Sequence, residues 1–323
     1  MVEANETIAK DIPKRPKKIL HVNDFHVNKK KLFYYGLMVI PLLQFCIFYI
    51  GVNFQSILLA FQDYDSLNGK FEFIAGDIFK NFKDIYVEYT VNNNIIPPAV
   101  KNSLILWFCT AICGTLIAIF FSYFIFKCKS IGRFYRFILF LPSILPGVLL
   151  ANIFECLSRD VLPLLFGWEN TLGSNDPSVV LWTVIMYSVF LGFGTQVLLY
   201  SNAMEQISPS VLEAAQLDGV GNMGELFFIV LPDIMGTIST FMIATIAGAF
   251  TNQANLYTFY GEWIATNMPD ANTLGYYMFV IVQNGGKFGK DYYGFASALG
   301  LCCTAVAIIP TVLFRRFSKR FEE

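Results

Sequence analysis

An acidic stretch between residues 201 and 231 holds the side chains of this sequence that are best suited to polar recognition. All of its charged residues are acids, namely Glu205, Glu213, Asp218 and Glu225. Glu213 is followed by Ala214 and Ala215. Small side chains beside a carboxylate let a partner helix approach closely while a basic residue of that partner pairs with the acid. We expect the stretch to expose small residues and one carboxylate at the surface.

Residue types that perform catalysis or bind metals form no comparable pattern. The two histidines, His21 and His26, stand in a basic N-terminal stretch without Cys or carboxylate partners at ligand spacing. Seven cysteines are an odd number, and most fall in apolar segments, where Cys packs as a small hydrophobe. The sequence has no Gly-x4-Gly-Lys-Ser/Thr phosphate loop. We therefore expect no catalytic residue, metal site, disulfide framework or cofactor in this chain.

The composition places the chain in a membrane. Hydrophobic residues make up 55% of it and charged residues 15%, with 33 Phe and 16 Tyr, whereas soluble domains carry about a quarter charged residues. The formal net charge is −1, so no global field favours nucleic acid. A soluble enzyme, a nucleic-acid-binding protein and a disordered protein are excluded.

Six uncharged runs predict an all-α integral membrane protein with six transmembrane helices. The spans are expected at about 32–60, 99–126, 135–156, 178–203, 232–255 and 291–314. The first run far exceeds the apolar core of a signal peptide, so we interpret it as an uncleaved span. Residues 1–31 form a basic tail, 32–316 the six-span core and 317–323 a second tail.

Basic residues predict the orientation of these spans. They cluster before the first span, between the second and third spans, and after the sixth. Because Lys and Arg mark cytoplasmic segments, we expect a multi-pass protein of the plasma membrane with both termini in the cytoplasm. The stretch 201–231 lies on the same side by parity but lacks Lys and Arg, so the insertion rule does not explain its position.

Local signals predict a short helix-turn-helix in this stretch. Ser208 and Pro209 can cap and begin a helix, while Ser210 and Glu213 have capping-box spacing, which leaves two possible starts. Glycines at 219, 221 and 224 permit a sharp turn, and Pro232 begins the fifth span.

The same stretch resembles the conserved cytoplasmic loop of ABC importer permeases. That loop reads Glu-Ala-Ala, three residues, Gly, nine residues, Ile, any residue, Leu-Pro. Every defined position matches: Glu213, Ala214, Ala215, Gly219, Ile229, Leu231 and Pro232. Asp218 fits the carbohydrate-importer version, whereas Val220 and Leu226 depart from it, replacing Ala and Phe. Residues 101–104, 133–147, 272–275 and 293–298 extend the resemblance, which covers about 32–316 and is closest to the maltose-type, binding-protein-dependent type I permease.

The resemblance implies function and partners. Glu213, Ala214, Ala215, Asp218 and Gly219 would couple the chain to an ATPase, and the chain would import an oligosaccharide or other carbohydrate. The implied partners are a second permease subunit, in a hetero- or homodimer, two cytoplasmic ATPase subunits that use ATP and Mg, an extracellular solute-binding protein and membrane lipid, with no nucleic acid. Outer segments 63–101 and 262–291 are candidate platforms for the solute-binding protein.

A solute path is predicted near two prolines of the third span. Pro142 and Pro146 each remove a helix hydrogen bond, which frees the carbonyls of Ile138 and Pro142. The result is either a static kink or a kink that lines the path, and the family favours the second. The resemblance places further path residues at Ser143, Gly147, Ser188, Leu191, Gly192, Thr195, Ala249 and Asn252. Their small size suits either a wide cavity or close helix packing.

Two alternatives remain open from the sequence. One is an ABC importer permease for a non-sugar solute, since the loop is shared broadly across importers. The other is an integral-membrane enzyme, which would need a charged or His-containing cluster near one interface.

Overall fold

The computed structural model describes residues 29–65, 70–74, 76–92, 95–167, 172–283 and 293–322. In this part of the chain thirteen α-helices follow one another, together with a 3-10 helix at Pro269–Ala271. Where an α-helix is given in parts, the second part is π-helical. They are α1 (Lys29–Gln44, Phe45–Gly51, Val52–Leu59), α2 (Lys80–Val87, Glu88–Asn92), α3 (Ile96–Phe108, Cys109–Cys113, Gly114–Lys127), α4 (Lys129–Ile144), α5 (Gly147–Cys156, Leu157–Val161, Leu162–Phe166), α6 (Pro177–Met204), α7 (Pro209–Leu217), α8 (Asn222–Glu225, Leu226–Val230, Leu231–Asp233), α9 (Met235–Ala247), α10 (Leu256–Tyr260), α11 (Trp263–Asn267), α12 (Leu274–Gln283) and α13 (Tyr293–Glu322). The predicted N-terminal tail, with His21 and His26, lies outside the described residues except for its last three positions.

Four helices are long and apolar enough to cross a membrane, and six spans result if each of two bent helix pairs counts as one. The four are Phe33–Leu59, Ile96–Lys127, Pro177–Met204 and Tyr293–Lys319. The bent pairs are Phe134–Ile144 with Gly147–Phe166, at 96°, and Asn222–Asp233 with Met235–Ala247, at 68°. The structure is therefore that of a mostly helical membrane protein.

Two features differ from the predicted pattern of plain helices. An antiparallel hairpin joins β1 (Gln62–Asp65) to β2 (Lys70–Phe73), so the described chain is not entirely α-helical. The fifth uncharged run, 232–255, forms a helix only as far as Ala247, and turns follow it. Ala254 and Asn255 have φ values of 51° and 58°, a conformation that ends a right-handed helix.

The chain divides into two units after Phe54. In the first unit, the helix is exposed throughout its described side chains, and Phe45 stacks on Tyr49 at 4.9 Å between ring centroids. In the second unit, α6 packs against α3 and α4, and α9 packs against α13. These contacts form the bundle that carries every candidate site residue.

Helix starts in the bundle follow local capping chemistry. α6 begins where the Asp176 carboxylate accepts a hydrogen bond from the Ser178 amide at 2.9 Å, with Pro177 as the first helical residue. α3 begins with Pro97 and Pro98 in its first turn, where a missing amide hydrogen breaks no helix hydrogen bond.

Two ends of the bundle can be distinguished by contacts. At one end, here called the loop end, Lys127 of α3 meets Glu225 of α8, and Ser318 of α13 donates to Ser239 of α9 at 2.5 Å. At the other end, here called the opposite end, Asn102 near the start of α3 meets the turn before α12. The basic connection 127–136 and the C-terminal end of α13 therefore share an end with α7 and α8.

Candidate functional site

The α7–α8 segment, residues 205–233, is a helix-turn-helix at the loop end. α7 begins at Pro209 with Ser208 as its N-cap residue, which decides between the two predicted starts. The Ser208 hydroxyl lies 2.8 Å from the Ser210 hydroxyl rather than on a helix amide. At the far end Gly219 has φ +74°. Its amide donates to the Gln216 carbonyl at 3.1 Å, and the Val220 amide donates to the Ala215 carbonyl at 3.0 Å, which is the Schellman arrangement.

This geometry divides the predicted docking residues between two faces of α7. Glu213, Ala214, Asp218 and Gly219 are exposed, whereas Ala215 is buried. Leu212 packs against the buried cluster around Tyr200 and Met204. The first of the two alanines is therefore available to a partner, and the second packs within this chain.

Large apolar side chains are also exposed on the segment. Leu217 is 89% exposed and Phe228 is 81% exposed, and Met223 and Phe227 are also solvent-accessible. Apolar side chains next to exposed carboxylates make a surface typical of a protein contact. The sequence analysis did not single out these four residues, of which Leu217 lies on α7 and the other three on α8.

A buried ion pair attaches the segment to the bundle. Glu225 is 1% exposed, and a carboxylate oxygen of it lies 2.6 Å from the Lys127 ammonium at the end of α3. One turn earlier, the Tyr123 hydroxyl donates to the Asn222 carbonyl at 2.9 Å, and the Lys127 ammonium lies 5.7 Å from the Tyr123 ring centroid. These contacts hold the first turn of α8 against α3.

A second, more exposed pair joins the start of the segment to α4. The Arg136 guanidinium lies 2.5 Å from a carboxylate oxygen of Glu205. Glu225 and Glu205 thus both face bases of the connection 127–136. Two of the four acids of 201–231 are thus paired with bases that lie outside the stretch. Sequence reasoning missed them because the partners are 98 and 69 residues apart.

The predicted path residues of the third span lie at a break between α4 and α5. Leu145 is extended, with φ −77° and ψ 145°, and the helices on either side meet at 96°. The Pro142 carbonyl accepts the Leu145 amide at 3.3 Å, so one of the two carbonyls expected to be freed has a partner. Ser143 and Gly147 are both exposed at this break.

Four predicted path residues lie on α6. Leu191 and Gly192 are adjacent, and Ser188 and Thr195 each lie three or four positions from them. All four are half-buried, so they share one face of the helix. Gly194, which the sequence analysis passed over, is the glycine that the packing requires, because an added Cβ would overlap the Leu139 carbonyl of α4. The close approach of α4 and α6 depends on it.

Ala249 and Asn252 lie together in the turn after α9, beside a cavity of about 270 Å3. The cavity is lined by Leu106, Trp107, Thr110, Thr245, Gly248, Ala249, Thr251 and Asn252. Two of the eight predicted path residues thus line this cavity together. Ser143, Gly147 and the four residues on α6 do not line it.

Two of the segments that extend the family resemblance, 101–104 and 272–275, position this turn. Asn102 donates to the carbonyls of Asp270 and Asn272 at 2.8 and 2.9 Å. The Leu274 amide donates to the Ser103 hydroxyl at 2.8 Å. An added Cβ on Gly275 would lie 2.5 Å from the Thr251 carbonyl oxygen. Residues 101–104 and 272–275, far apart in sequence, thus meet and hold the turn beside the cavity.

The opposite end carries the hairpin, part of the predicted outer segment 63–101. Tyr64 of β1 and Phe71 of β2 face each other at 5.0 Å, and both approach the Tyr293 ring. The buried Asn81 amide of α2 donates to the Ala60 and Gln62 carbonyls at 2.9 and 3.2 Å. The hydrogen bond from Lys80 to Asp63 raises the pKa of Lys80.

The second predicted outer segment, 262–291, is described up to residue 283. It is preceded by Tyr260, whose hydroxyl donates to the Leu172 carbonyl at 2.5 Å and whose ring faces the Arg159 guanidinium at 5.3 Å. Burial raises the pKa of Tyr260, and the nearby Arg159 charge opposes that shift. Trp263 stacks beside Tyr260 and is exposed.

Comparison with known proteins identifies relatives over most of the chain. Residues 98–323 match the family described as binding-protein-dependent transport system inner membrane component. The probable ABC transporter permease protein YurN of Bacillus subtilis (strain 168) is 23% identical over 314 residues, covering 92% of this chain and 99% of that protein. The multiple sugar-binding transport system permease protein MsmF of Streptococcus mutans serotype c is 22% identical over 293 residues, covering 88% and 94%.

A solved structure has the same fold. It is a chain of a bacterial alginate ABC transporter in complex with an alginate pentasaccharide-bound periplasmic protein. The TM-score is 0.69 at 18% sequence identity, with 90% of this chain and 96% of that chain covered. At this identity the likeness concerns the fold alone.

Proposed function

This chain belongs to the family of inner membrane components of binding-protein-dependent transport systems, and we propose that it is one membrane subunit of an ATP-driven ABC importer for a carbohydrate. The resemblance read from residues 207–232 is confirmed at the level of the family. The relatives include a multiple sugar-binding transport permease, and the structural neighbour belongs to an alginate transporter. These relatives support a saccharide as the solute.

The coupling part of the proposal rests on one observation: α7 is exposed, and the start of α8 beneath it is held against α3. Glu213 and Leu217 are one helical turn apart and both exposed. The α8 turn beneath them is tied to α3 through Glu225 and Lys127. A carboxylate and an apolar residue presented on a fixed helix suit a basic, apolar groove on another protein. We assign this groove to a cytoplasmic ATPase subunit.

The remaining partners follow from this assignment. The loop end faces the cytoplasm, and both termini lie on that side. Two ATPase subunits bind there and hydrolyse ATP with Mg. A second permease subunit, the same or related, completes the solute path. The hairpin and α2 at the opposite end, with Phe73 and Phe79 exposed, contact the extracellular solute-binding protein.

Affinity purification and uptake test the proposal together. The tagged chain, expressed in its own host and purified in detergent, should bring down an ATPase and a permease subunit, identified by mass spectrometry. Vesicles containing the complex should accumulate at least one of three labelled trisaccharides, maltotriose, raffinose or trigalacturonate, only when ATP and the solute-binding protein are supplied. A chain that purifies alone would contradict the importer, and ATP-driven uptake of a non-sugar solute in place of these sugars would contradict the carbohydrate assignment.

A further inference from the structure

A groove of about 220 Å3 lies between α13 and the end of α9 with the turn that follows it. Phe250 lines one side of the groove, and Ile308 and Val312 of α13 line the other. Ile308 and Val312 are exposed, so the groove is open at the surface of the bundle. We infer that it holds an acyl chain of one anionic phospholipid, whose phosphate binds to Arg315 and Arg316 next to the groove.

The lining of the groove suits an alkyl chain. None of its described lining residues is charged. The hydroxyls of Thr251, Thr304 and Thr311 donate to backbone carbonyls of the preceding turn, at 3.3, 2.8 and 2.6 Å. Those hydroxyl hydrogens are therefore used within the chain and are not available to a polar ligand. A methylene chain needs no hydrogen bond and packs against such a surface by dispersion.

Two arginines directly beyond the groove select the head group. Arg315 and Arg316 are exposed, and no acid in the described part of the chain forms an ion pair with either of them. Glu322 and Glu323 follow in the sequence at a spacing that suits Lys319 and not the arginines. A guanidinium binds phosphate through two parallel hydrogen bonds. An anionic head group is therefore favoured over a zwitterionic one, whose ammonium cancels the phosphate charge.

The groove and the arginines lie on one face of α13 and at a suitable depth. Ile308, Val312 and Arg315 follow one another at helical spacing, so their side chains share a face. At 1.5 Å per residue, the helix from Tyr293 to Arg315 is about 33 Å long, close to the roughly 30 Å of a bilayer's hydrocarbon core. Arg315 therefore lies where α13 leaves the hydrocarbon, at the level of the lipid phosphates.

This inference goes beyond the proposed function and does not depend on the transported solute. The proposed orientation places the site in the cytoplasmic leaflet, where basic pockets between membrane helices can bind anionic head groups. An inverted orientation would move the site to the other leaflet without removing it. A lipid in the groove contacts both α9 and α13, so it stabilises the packing of these two helices.

Two lipids that differ only in their head group test the site. The complex, purified in detergent and stripped of lipid, is titrated with phosphatidylglycerol or phosphatidylcholine of equal acyl chains, and bound lipid is counted by native mass spectrometry. The wild-type complex should bind phosphatidylglycerol about tenfold more tightly, because hydrogen bonds between charged groups discriminate by about that factor. Equal affinities for the two lipids would overturn the inference. An affinity for inorganic phosphate equal to that for phosphatidylglycerol would exclude the acyl chain from the site.

Substitutions separate the contributions of the arginines and the groove. Arg315→Gln combined with Arg316→Gln should lower the affinity for phosphatidylglycerol to that for phosphatidylcholine. Ile308→Ser, in the groove, should weaken the binding of both lipids and leave their ratio unchanged. Lys30→Gln combined with Lys31→Gln is the matched control, because it removes two bases of the N-terminal basic stretch. This control should keep the wild-type preference.

The remaining outcomes distinguish a lipid site from other uses of the arginines. If the lysine control loses the preference as fully as the arginine variant, the attraction is spread over the basic surface and the inference fails. If the arginine variant loses the ATPase and keeps its lipid preference, the arginines belong to a protein contact and the inference fails. Should the arginine variant not assemble, Ile308→Ser decides, and wild-type affinity of Ile308→Ser for both lipids would exclude the groove.

Discussion

At the residue scale, two glutamates of the α7–α8 segment have opposite environments. Glu213 is exposed on α7, whereas Glu225 is buried and paired with Lys127. An exposed carboxylate contributes little to the folding of its own chain. A buried carboxylate that loses its partner leaves an uncompensated charge. Substitutions at the two sites should therefore affect different measurements.

We predict that Glu213→Lys abolishes coupling without preventing membrane insertion. Placing a positive charge against a basic groove reverses an attraction, so uptake should fall at least about tenfold, since like-charge contacts cost several kcal/mol. Glu213→Gln, which removes the charge and keeps the shape, should give an intermediate uptake rate. Both are checked by sugar uptake and ATP hydrolysis in vesicles, with thermal unfolding as the control for folding. Wild-type uptake by Glu213→Lys would exclude Glu213 from the ATPase contact.

We predict that Glu225→Gln loosens the segment more than the matching change at the exposed pair. Removing one member of a buried pair costs up to about 3 kcal/mol when the other remains partly solvated, as Lys127 does. Glu205→Gln, at the exposed pair with Arg136, should cost under about 1 kcal/mol. Limited proteolysis of 205–233 in the detergent-purified complex measures both.

The double substitution Lys127→Met with Glu225→Met provides the complementary test of the same pair. Two apolar side chains of similar length should restore resistance to proteolysis, because no buried charge remains. A double variant as sensitive as Glu225→Gln would mean that the pairing geometry, and not charge burial, stabilises the segment.

At the scale of the elements, glycines decide how helices end and meet. Gly219 ends α7 with a positive φ, and Gly194 allows α4 to contact α6. The sequence does not show which glycine has which role, because another glycine lies two positions from each of them. Gly221 has φ −70°, and Gly192 would place a Cβ 3.9 Å from the Gln196 amide.

We predict that Gly219→Ala weakens coupling while Gly221→Ala does not. A residue with a Cβ costs about 1–2 kcal/mol in the left-handed region, so the α7 terminus should change its turn and displace Glu213. A Cβ on Gly221 meets no described atom within 4 Å. Co-purification of the ATPase with each variant is the measurement, and equal recovery of the ATPase would contradict the role of the turn.

We predict that Gly194→Ala destabilises the α4–α6 contact, whereas Gly192→Ala is tolerated. Overpacking at the Leu139 carbonyl should cost about 1–3 kcal/mol or prevent assembly. The added methyl at position 192 makes only an ordinary contact. Thermal unfolding of the purified complex compares the two variants. A lower midpoint for Gly192→Ala than for Gly194→Ala would show that the α6 face around Gly192, and not the α4 contact, is the tightly packed one.

At the scale of the whole molecule, the two ends of the bundle in the second unit carry different elements. The loop end has the α7–α8 segment and its ion pairs with the connection 127–136. The opposite end has the hairpin, α2 and the Tyr260–Trp263 stack. This polarity suits a chain that contacts an ATPase on one side of the membrane and a binding protein on the other.

We predict that the two ends label on opposite sides of the membrane. In a variant whose seven free cysteines are replaced by Ser, Glu72→Cys on the hairpin should react with an impermeant maleimide in intact cells. Gln216→Cys on α7 should react only after permeabilisation. Both positions are exposed, so access to the reagent and not burial sets the result. Labelling of Gln216→Cys in intact cells would invert the proposed orientation.

The sequence by itself determined the class of protein, the family and the position of the helix-turn-helix segment. Uncharged runs near 20 residues allow few structures other than membrane helices. The spacing from Glu213 to Pro232 is a local pattern that needs no knowledge of distant residues. Local rules also narrowed the start of α7 to two positions and the turn after it to the glycines at 219, 221 and 224.

Only the tertiary structure decided which distant residues meet. The pairing of Glu225 with Lys127, the contact of Gly194 with Leu139 and the joining of 101–104 to 272–275 all link segments far apart in the chain. For the same reason, eight path residues inferred by resemblance separated into an exposed break, one face of α6 and a cavity that only Ala249 and Asn252 line. Trp107 lines the same cavity with a buried indole nitrogen, and the sequence could not predict this because burial is a property of neighbours in space.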